Sequence, residues 1–398
     1  MKVFILICLM PFVLSGSQND GDFPVMSVPE LIKYWGYEVE EHDVTTEDGY
    51  ILGMHRIPHG KSERQDGSKT KPVAFLAHGL TCNSGVYVFG PPEKSLGYIL
   101  ADAGFDVWMG NTRGNSYSRR HVEFDSCSTC PDFWNFGFDD TGKYDFAAEM
   151  DYIMDVTGVD QVHFVGHSMG ATQLVVFLSE LPEYNDKIAG AYLMGPAVYM
   201  TNVNNPITII ASWGETLEIL YHFFGFYEFL PHYEFIQWVA HFFCNVEDNP
   251  VVGSLCENIV FLFTGINEAQ LNMTMMPIYL DNVPDGTSTR PFVHYAQLNL
   301  MEDIFQKYDF GSEENMVRYG TETPPIYDLS KVTAPVALFV GDKDDLATVA
   351  DAETLAANLP NLSLFQIVDF EGFTHMDFAI AIDANKLIYA KILEMMQA

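Results

Sequence analysis

Basic residues are scarce in this chain: 20 Lys and Arg stand against 54 Asp and Glu, a formal net charge of −34. A surface that acidic repels phosphate backbones and anionic lipid headgroups, which excludes nucleic acid as a partner and disfavours anionic membranes. Long apolar runs are missing too. The run Val3 to Leu14 is too short to cross a bilayer, and nothing after it is apolar for long enough, so no integral membrane segment is expected in the mature protein. Internal repeats and low-complexity tracts are absent, which excludes a solenoid. Cysteine is sparse, with 6 in 398 residues, and a single C-x-x-C occurs, Cys127 to Cys130. A structural zinc site needs four ligands, and no second such pair supplies them. Neither a metal nor an organic cofactor is expected. What is abundant is apolar and aromatic side chain, at 48% and 14% of residues, so the chain folds around a large core.

Residues 1–17 read as a secretory signal peptide. Lys2 supplies the charged start, Val3 to Leu14 the apolar run, and Ser15-Gly16-Ser17 the small residues before a polar Gln18-Asn19-Asp20. The expected location is therefore secreted, with the lysosome as the alternative. Removing the signal takes Cys8 with it and leaves an odd number of cysteines. Cys244 and Cys256 can close a short loop as a disulfide, Cys127 and Cys130 form either a local disulfide or two thiols, and Cys82 is left over. Asn272-Met273-Thr274 and Asn361-Leu362-Ser363 are N-glycosylation sequons.

From Pro72 onward short apolar runs alternate with helical stretches, the pattern of buried parallel strands joined by crossover helices. Strands are expected at 73–77, 105–109, 162–165, 188–193, 336–340 and 364–368. Helices are expected at 94–103, 144–156, 169–180, 351–358 and 378–396. The order βαβα makes the class α/β, a mostly parallel sheet with helices on both faces. Two alternating segments, 37–44 and 49–57, read as a hairpin added antiparallel at the sheet edge. The alternation stops after Pro196 and resumes near Ala334. The expected organisation is a core formed by 18–196 and 334–398, with 197–333 as an inserted, mainly helical cap at the strand ends where α/β sheets bind ligands.

Gly166-His167-Ser168-Met169-Gly170 follows one expected strand and precedes an expected helix. A serine on such a tight turn stands clear of the sheet, and flanking glycines remove side chains that would collide there. The helix start offers its N–H groups to developing negative charge. A serine hydroxyl needs a base, and the base needs a carboxylate to orient it. Downstream, Gly341-Asp342-Lys343-Asp344-Asp345 and His375 lie in loops after strands. Periodicity does not choose among Asp342, Asp344 and Asp345. His375 has less competition, because the other histidines after Ser168, namely His222, His232, His241 and His294, fall within the cap interval. Oxyanion donors are expected from the backbone N–H of Met169 and from that of Leu80 in His78-Gly79-Leu80.

These segments resemble the acid lipase family that includes gastric lipase and lysosomal acid lipase. Similar blocks are Tyr37-x-x-Glu40, Asp48-Gly49-Tyr50-Ile51-Leu52, Arg56-Ile57-Pro58, and 100–108. Further blocks are Gly110-Asn111-x-Arg113-Gly114-Asn115, Lys143-Tyr144-Asp145, Gly166-His167-Ser168, Asp344-x-Leu346-Ala347 and His375-x-Asp377-Phe378. The resemblance implies an α/β-hydrolase fold, Ser168 as nucleophile, Asp344 as orienting acid, His375 as base, and Leu80 and Met169 as oxyanion donors. It also makes Cys244 to Cys256 similar to the family's cap disulfide. Met169 stands where these lipases commonly carry Gln, and Cys82, Cys127 and Cys130 are outside the pattern.

The implied activity is hydrolysis of neutral-lipid esters, triacylglycerols or sterol esters, at a lipid–water interface. Rings concentrated at 223–230 and 242–243 are expected to line an acyl-binding cleft, with part of 216–256 acting as a mobile lid. Alternatives are a short-chain carboxylesterase, or an inactive secreted lipid-binding or storage protein on the same scaffold. The family implies an acid optimum. Near pH 4 about half the carboxylates would be protonated and the histidines charged, so colloidal repulsion would be lost; composition favours a neutral or alkaline working pH.

Overall fold

The computed structural model describes residues 26–62, 71–203, 227–229, 267–275, 278–279 and 282–398. The expected signal peptide, Cys244 and Cys256, and nearly all of the expected lid lie outside these residues.

In chain order the strands are β1 Glu40–Thr45, β2 Tyr50–Ile57, β3 Val73–Ala77, β4 Asp106–Met109, β5 Arg120–His121, β6 Val162–His167 and β7 Ile188–Met194. They continue with β8 Glu228–Phe229, β9 Thr287–Ser288, β10 Val336–Val340 and β11 Leu362–Ile367. The main sheet runs β1-β2-β4-β3-β6-β7-β10-β11, with β5 on the edge of β2. Pairing is antiparallel from β1 to β4 and parallel from β4 to β11. The edge hairpin expected from the alternating segments is present as β1 and β2.

Val73-Ala74-Phe75-Leu76-Ala77 and Val336-Ala337-Leu338-Phe339-Val340 are buried at every position, because the sheet is covered on both faces. Successive side chains alternate between two cores. Phe75, Phe164, Leu193 and Leu338 belong to one, packed against helices α3 (Phe146–Thr157) and α4 (Met169–Glu180). Leu76, Val165, Met194 and Phe339 belong to the other, with α1 (Val28–Tyr34), α2 (Leu96–Asp102) and the C-terminal helices. Each face therefore gains burial from helices contributed by distant stretches of chain, at about 25 cal/mol per Å² of apolar surface.

The last expected helix, 378–396, is interrupted, which corrects the reading from periodicity. It forms a short helix (Asp377–Ile380), then a wide turn at Asn385–Tyr389, then a final helix (Ala390–Met396). Between them the chain extends, and Ala381 bridges Leu271 while Ile382 N–H donates to the Gln270 carbonyl (2.9 Å). A tertiary backbone pairing displaces the local helical one. The chain's exit toward 204 is held similarly. Asp351, in the helix Val349–Asn358 capped by Thr348, accepts from Asn202 N–H (3.1 Å) and Asn202 Nδ2 (2.9 Å).

Candidate active site

Ser168 occupies the turn from β6 into α4 with φ 55° and ψ −118°, a conformation that a β-carbon disfavours. The turn is held from both sides. Ser168 N–H donates to the Met194 carbonyl at the end of β7 (3.0 Å), and its own carbonyl accepts from Ala171 N–H (2.9 Å). The flanking glycines are sterically required. A methyl at Gly170 would overlap the Ala77 carbonyl oxygen, and one at Gly166 would lie 2.9 Å from the Gly170 backbone.

Ser168 Oγ–H donates to His375 Nε2 across 2.8 Å, and His375 Nδ1–H donates to Asp344 Oδ2 across 2.7 Å. The three side chains leave the C-terminal ends of β6, β11 and β10, so the parallel sheet gathers residues up to 207 positions apart. His375 and Asp344 are buried and Ser168 is half-buried. Asp344 Oδ1 accepts from the N–H groups of Leu346 (2.9 Å) and Ala347 (2.7 Å), which aims its other oxygen at the imidazole. Of the three aspartates in this loop, Asp344 is the one hydrogen-bonded to His375. Asp342 is exposed and turns to the N–H groups of Gly372 (2.9 Å) and Phe373 (2.7 Å), bracing the histidine loop from outside, and Asp345 is exposed.

The loop after β3 passes beside the serine: a methyl built on Gly79 would stand 3.0 Å from Ser168 Cβ. The N–H groups of Leu80 and Met169 make no hydrogen bond to any of the described residues. His78 braces this loop. Its Nδ1–H donates to the Gly79 carbonyl (2.8 Å) and its Nε2 accepts from Thr112 N–H (3.1 Å). Burial lowers its pKa.

Periodicity and motif spacing assigned no role to several residues that support this arrangement. His167, between two motif residues, donates Nε2–H to the His375 carbonyl (3.1 Å), and its ring lies 5.0 Å from the His375 ring. Burial, and then the neighbouring His375, push its pKa down to about 3. Asp377 accepts from Thr374 N–H (2.7 Å) and Asn267 Nδ2 (2.6 Å), and burial raises its carboxyl. Gly195, at φ 54°, leaves room for the pair: a methyl there would lie 3.1 Å from Asp344 Oδ2 and 3.2 Å from His375 Nδ1. A glycine two positions past the end of the expected strand 188–193 is the available signal.

Away from the site, Cys127 and Cys130 form a disulfide, and Cys82 is a buried thiol that burial pushes up to about 12. Asn361 is exposed and donates to the Thr333 carbonyl (3.0 Å), while Asn272 is half-buried and accepts from Thr274 N–H (3.1 Å). Among the described residues no group of three or more His, Cys, Asp or Glu could hold a metal ion, and no helix is long and apolar enough to cross a membrane.

Comparison with known proteins adds two family matches. One, described as a partial alpha/beta-hydrolase lipase region, covers residues 28–90; the other, the alpha/beta hydrolase fold, covers residues 72–379. The chain is 38% identical to gastric triacylglycerol lipase of Rattus norvegicus, over 93% of this chain and 91% of that protein. It is 36% identical to lysosomal acid lipase/cholesteryl ester hydrolase of Homo sapiens, over 99% of this chain and 98% of that one. A soluble variant of monoglyceride lipase from Saccharomyces cerevisiae superposes with a TM-score of 0.52 at 14% identity, covering 91% of this chain and 94% of that one. The last is a likeness of fold.

Proposed function

Given that the chain belongs to the lipases of the α/β-hydrolase fold, we propose that it hydrolyses carboxylic esters of neutral lipids through Ser168, His375 and Asp344. The observation that carries this reading is the continuous hydrogen-bond relay, 2.8 Å from hydroxyl to imidazole and 2.7 Å from imidazole to carboxylate. His375 Nε2 takes the serine proton as Oγ attacks the ester carbonyl, and Asp344 stabilises the imidazolium. The N–H groups of Leu80 and Met169, free of other partners among the described residues, receive the oxyanion. The imidazolium returns its proton to the leaving alcohol, and the acyl-enzyme then yields to water activated by the same base.

Triacylglycerols or sterol esters are the proposed substrates, by analogy with the two relatives named above. The interval 197–333 serves as the cap, and residues 1–17 direct secretion. Ser168→Ala should lower turnover by roughly 10⁴-fold or more while leaving the unfolding transition in place. Substantial residual hydrolysis, or failure of Ser168 to react with a serine-directed phosphonate, would remove the proposal. Rates on dispersed short esters set against emulsified long-chain esters separate a lipase with a lid from a short-chain esterase.

A further inference from the structure

We propose that Asp285, which belongs to the inserted interval, is the positioning residue for the oxyanion loop. The inference rests on the reading of Leu80 N–H as an oxyanion donor.

The loop after β3 needs external support. Thr81, next to Leu80, is a β-branched residue at φ 55°, a conformation such residues adopt only where the surroundings enforce it. Its carbonyl accepts from Asp285 N–H (2.7 Å), so the backbone of the inserted segment fixes the Thr81–Cys82 peptide, one residue beyond Leu80. The Asp285 side chain holds the same loop further on. Oδ2 accepts from Asn83 Nδ2 (2.9 Å) and from Ser116 Oγ (2.7 Å), and Oδ1 accepts from the N–H groups of Ser116 (3.0 Å) and Gly286 (2.8 Å). Asn83 is itself committed, its Oδ1 accepting from Gly85 N–H (2.9 Å) and its Nδ2 donating to the Asn282 carbonyl (3.0 Å).

This carboxylate is 1% exposed and makes no ion pair among the described residues. An isolated buried carboxylate is costly, and four donors are what make this one tolerable. A neutral amide at the same place could not accept all four bonds: its NH₂ would meet the Asn83 NH₂ or depend on reversal of the Ser116 hydroxyl. The geometry needs an acceptor that faces donors on two loops at once, Asn83 beside the oxyanion donor and Ser116 on the 112–118 turn. Asp285 joins them, and it reaches them from the inserted segment rather than from the core.

The test uses the full chain with Asp285→Asn and Ser116→Ala, assayed on a soluble short-chain ester and normalised by active-site titration. For Asp285→Asn, kcat per titrated site should fall roughly 10- to 100-fold with KM within about twofold, since a displaced donor acts on the transition state. The affinity of an alkyl boronic acid, whose tetrahedral adduct places an oxygen in the oxyanion site, should weaken by a similar factor. Ser116→Ala, which removes one bond and leaves the backbone contact, should show the same pattern at several-fold and remains informative if Asp285→Asn does not fold. Unchanged kcat per site, with only fewer titratable sites, would overturn the proposal and leave Asp285 a fold residue. A rise in kcat, or a change in KM alone, would overturn it equally. Retention of turnover by Ser168→Ala would instead remove the nucleophile reading on which it stands.

Discussion

Gly195 and Asp344 illustrate how little freedom single residues have around the proposed reacting atoms. A side chain at 195 would press on the His375–Asp344 pair at 3.1–3.3 Å, and the backbone there is already left-handed. Gly195→Ala should therefore lower kcat by roughly 10- to 100-fold, through displacement of the imidazole, with a smaller effect on KM, as steady-state kinetics on a soluble ester would register. Asp344→Asn keeps the shape but removes the charge that supports the imidazolium. It should cost roughly 10³- to 10⁴-fold in kcat. Asp342→Asn, which only loosens the bonds to Gly372 and Phe373, should cost far less, and equal losses at 342 and 344 would contradict the assignment.

Loops and element ends are tied together by a buried ion pair that the motif blocks contained without revealing. Arg113 is fully buried. Its Nε donates to Asp145 Oδ1 (2.7 Å), just before α3, and its Nη2 donates to Asp48 Oδ1 (2.9 Å), in the turn between β1 and β2. The guanidinium also lies 3.8 Å from the centre of the Tyr50 ring. One planar, multiply donating cation serves two carboxylates and a ring, which an ammonium could not reproduce. Arg113→Met would leave Asp145 buried without its cation. Breaking a buried pair in this way costs about 3–5 kcal/mol, and denaturant unfolding should report that loss. The periodicity of the C-terminal segment failed as a guide for a related reason. Extended pairing of 381–382 with 270–271 competes with helix continuation, and the partner segment lies more than a hundred residues away.

At the scale of the whole molecule, acid response combines charge and burial. With 54 carboxylates and 20 basic residues, acidification removes net negative charge and the repulsion that keeps molecules apart. Buried histidines add a second effect. Burial pushes the pKa of His55 down to about 4, against about 6.5 in the unfolded chain. Between those two values the unfolded state binds the proton and the folded state does not, so stability declines as pH falls from 6.5 toward 4. Asp145, pushed up to about 6 by burial, acts in the opposite direction, so the difference between variants is the informative quantity. From pH 6.5 to 5 the native chain should lose roughly 1–2 kcal/mol more than His55→Asn, the slope approaching about 1.4 kcal/mol per pH unit only below pH 6. Parallel denaturation curves at the two pH values would show otherwise.

The class of fold and the position of Ser168 follow from contiguous residues: apolar runs of strand length, helical spacing between them, and a serine between glycines where one gives way to the other. His375 could be isolated from its loop and from the scarcity of rivals outside the inserted interval. Local pattern stops there. Asp344 rather than Asp342 or Asp345 depends on which way one turn of backbone aims three neighbouring carboxyls, and that is set by the N–H groups of Leu346 and Ala347 together with the imidazole opposite. The support given by Gly195, His167 and Asp285 was likewise decided only by tertiary structure. These residues act through contacts between segments that periodicity treats separately, and such contacts exist only once the sheet has brought its strand ends together.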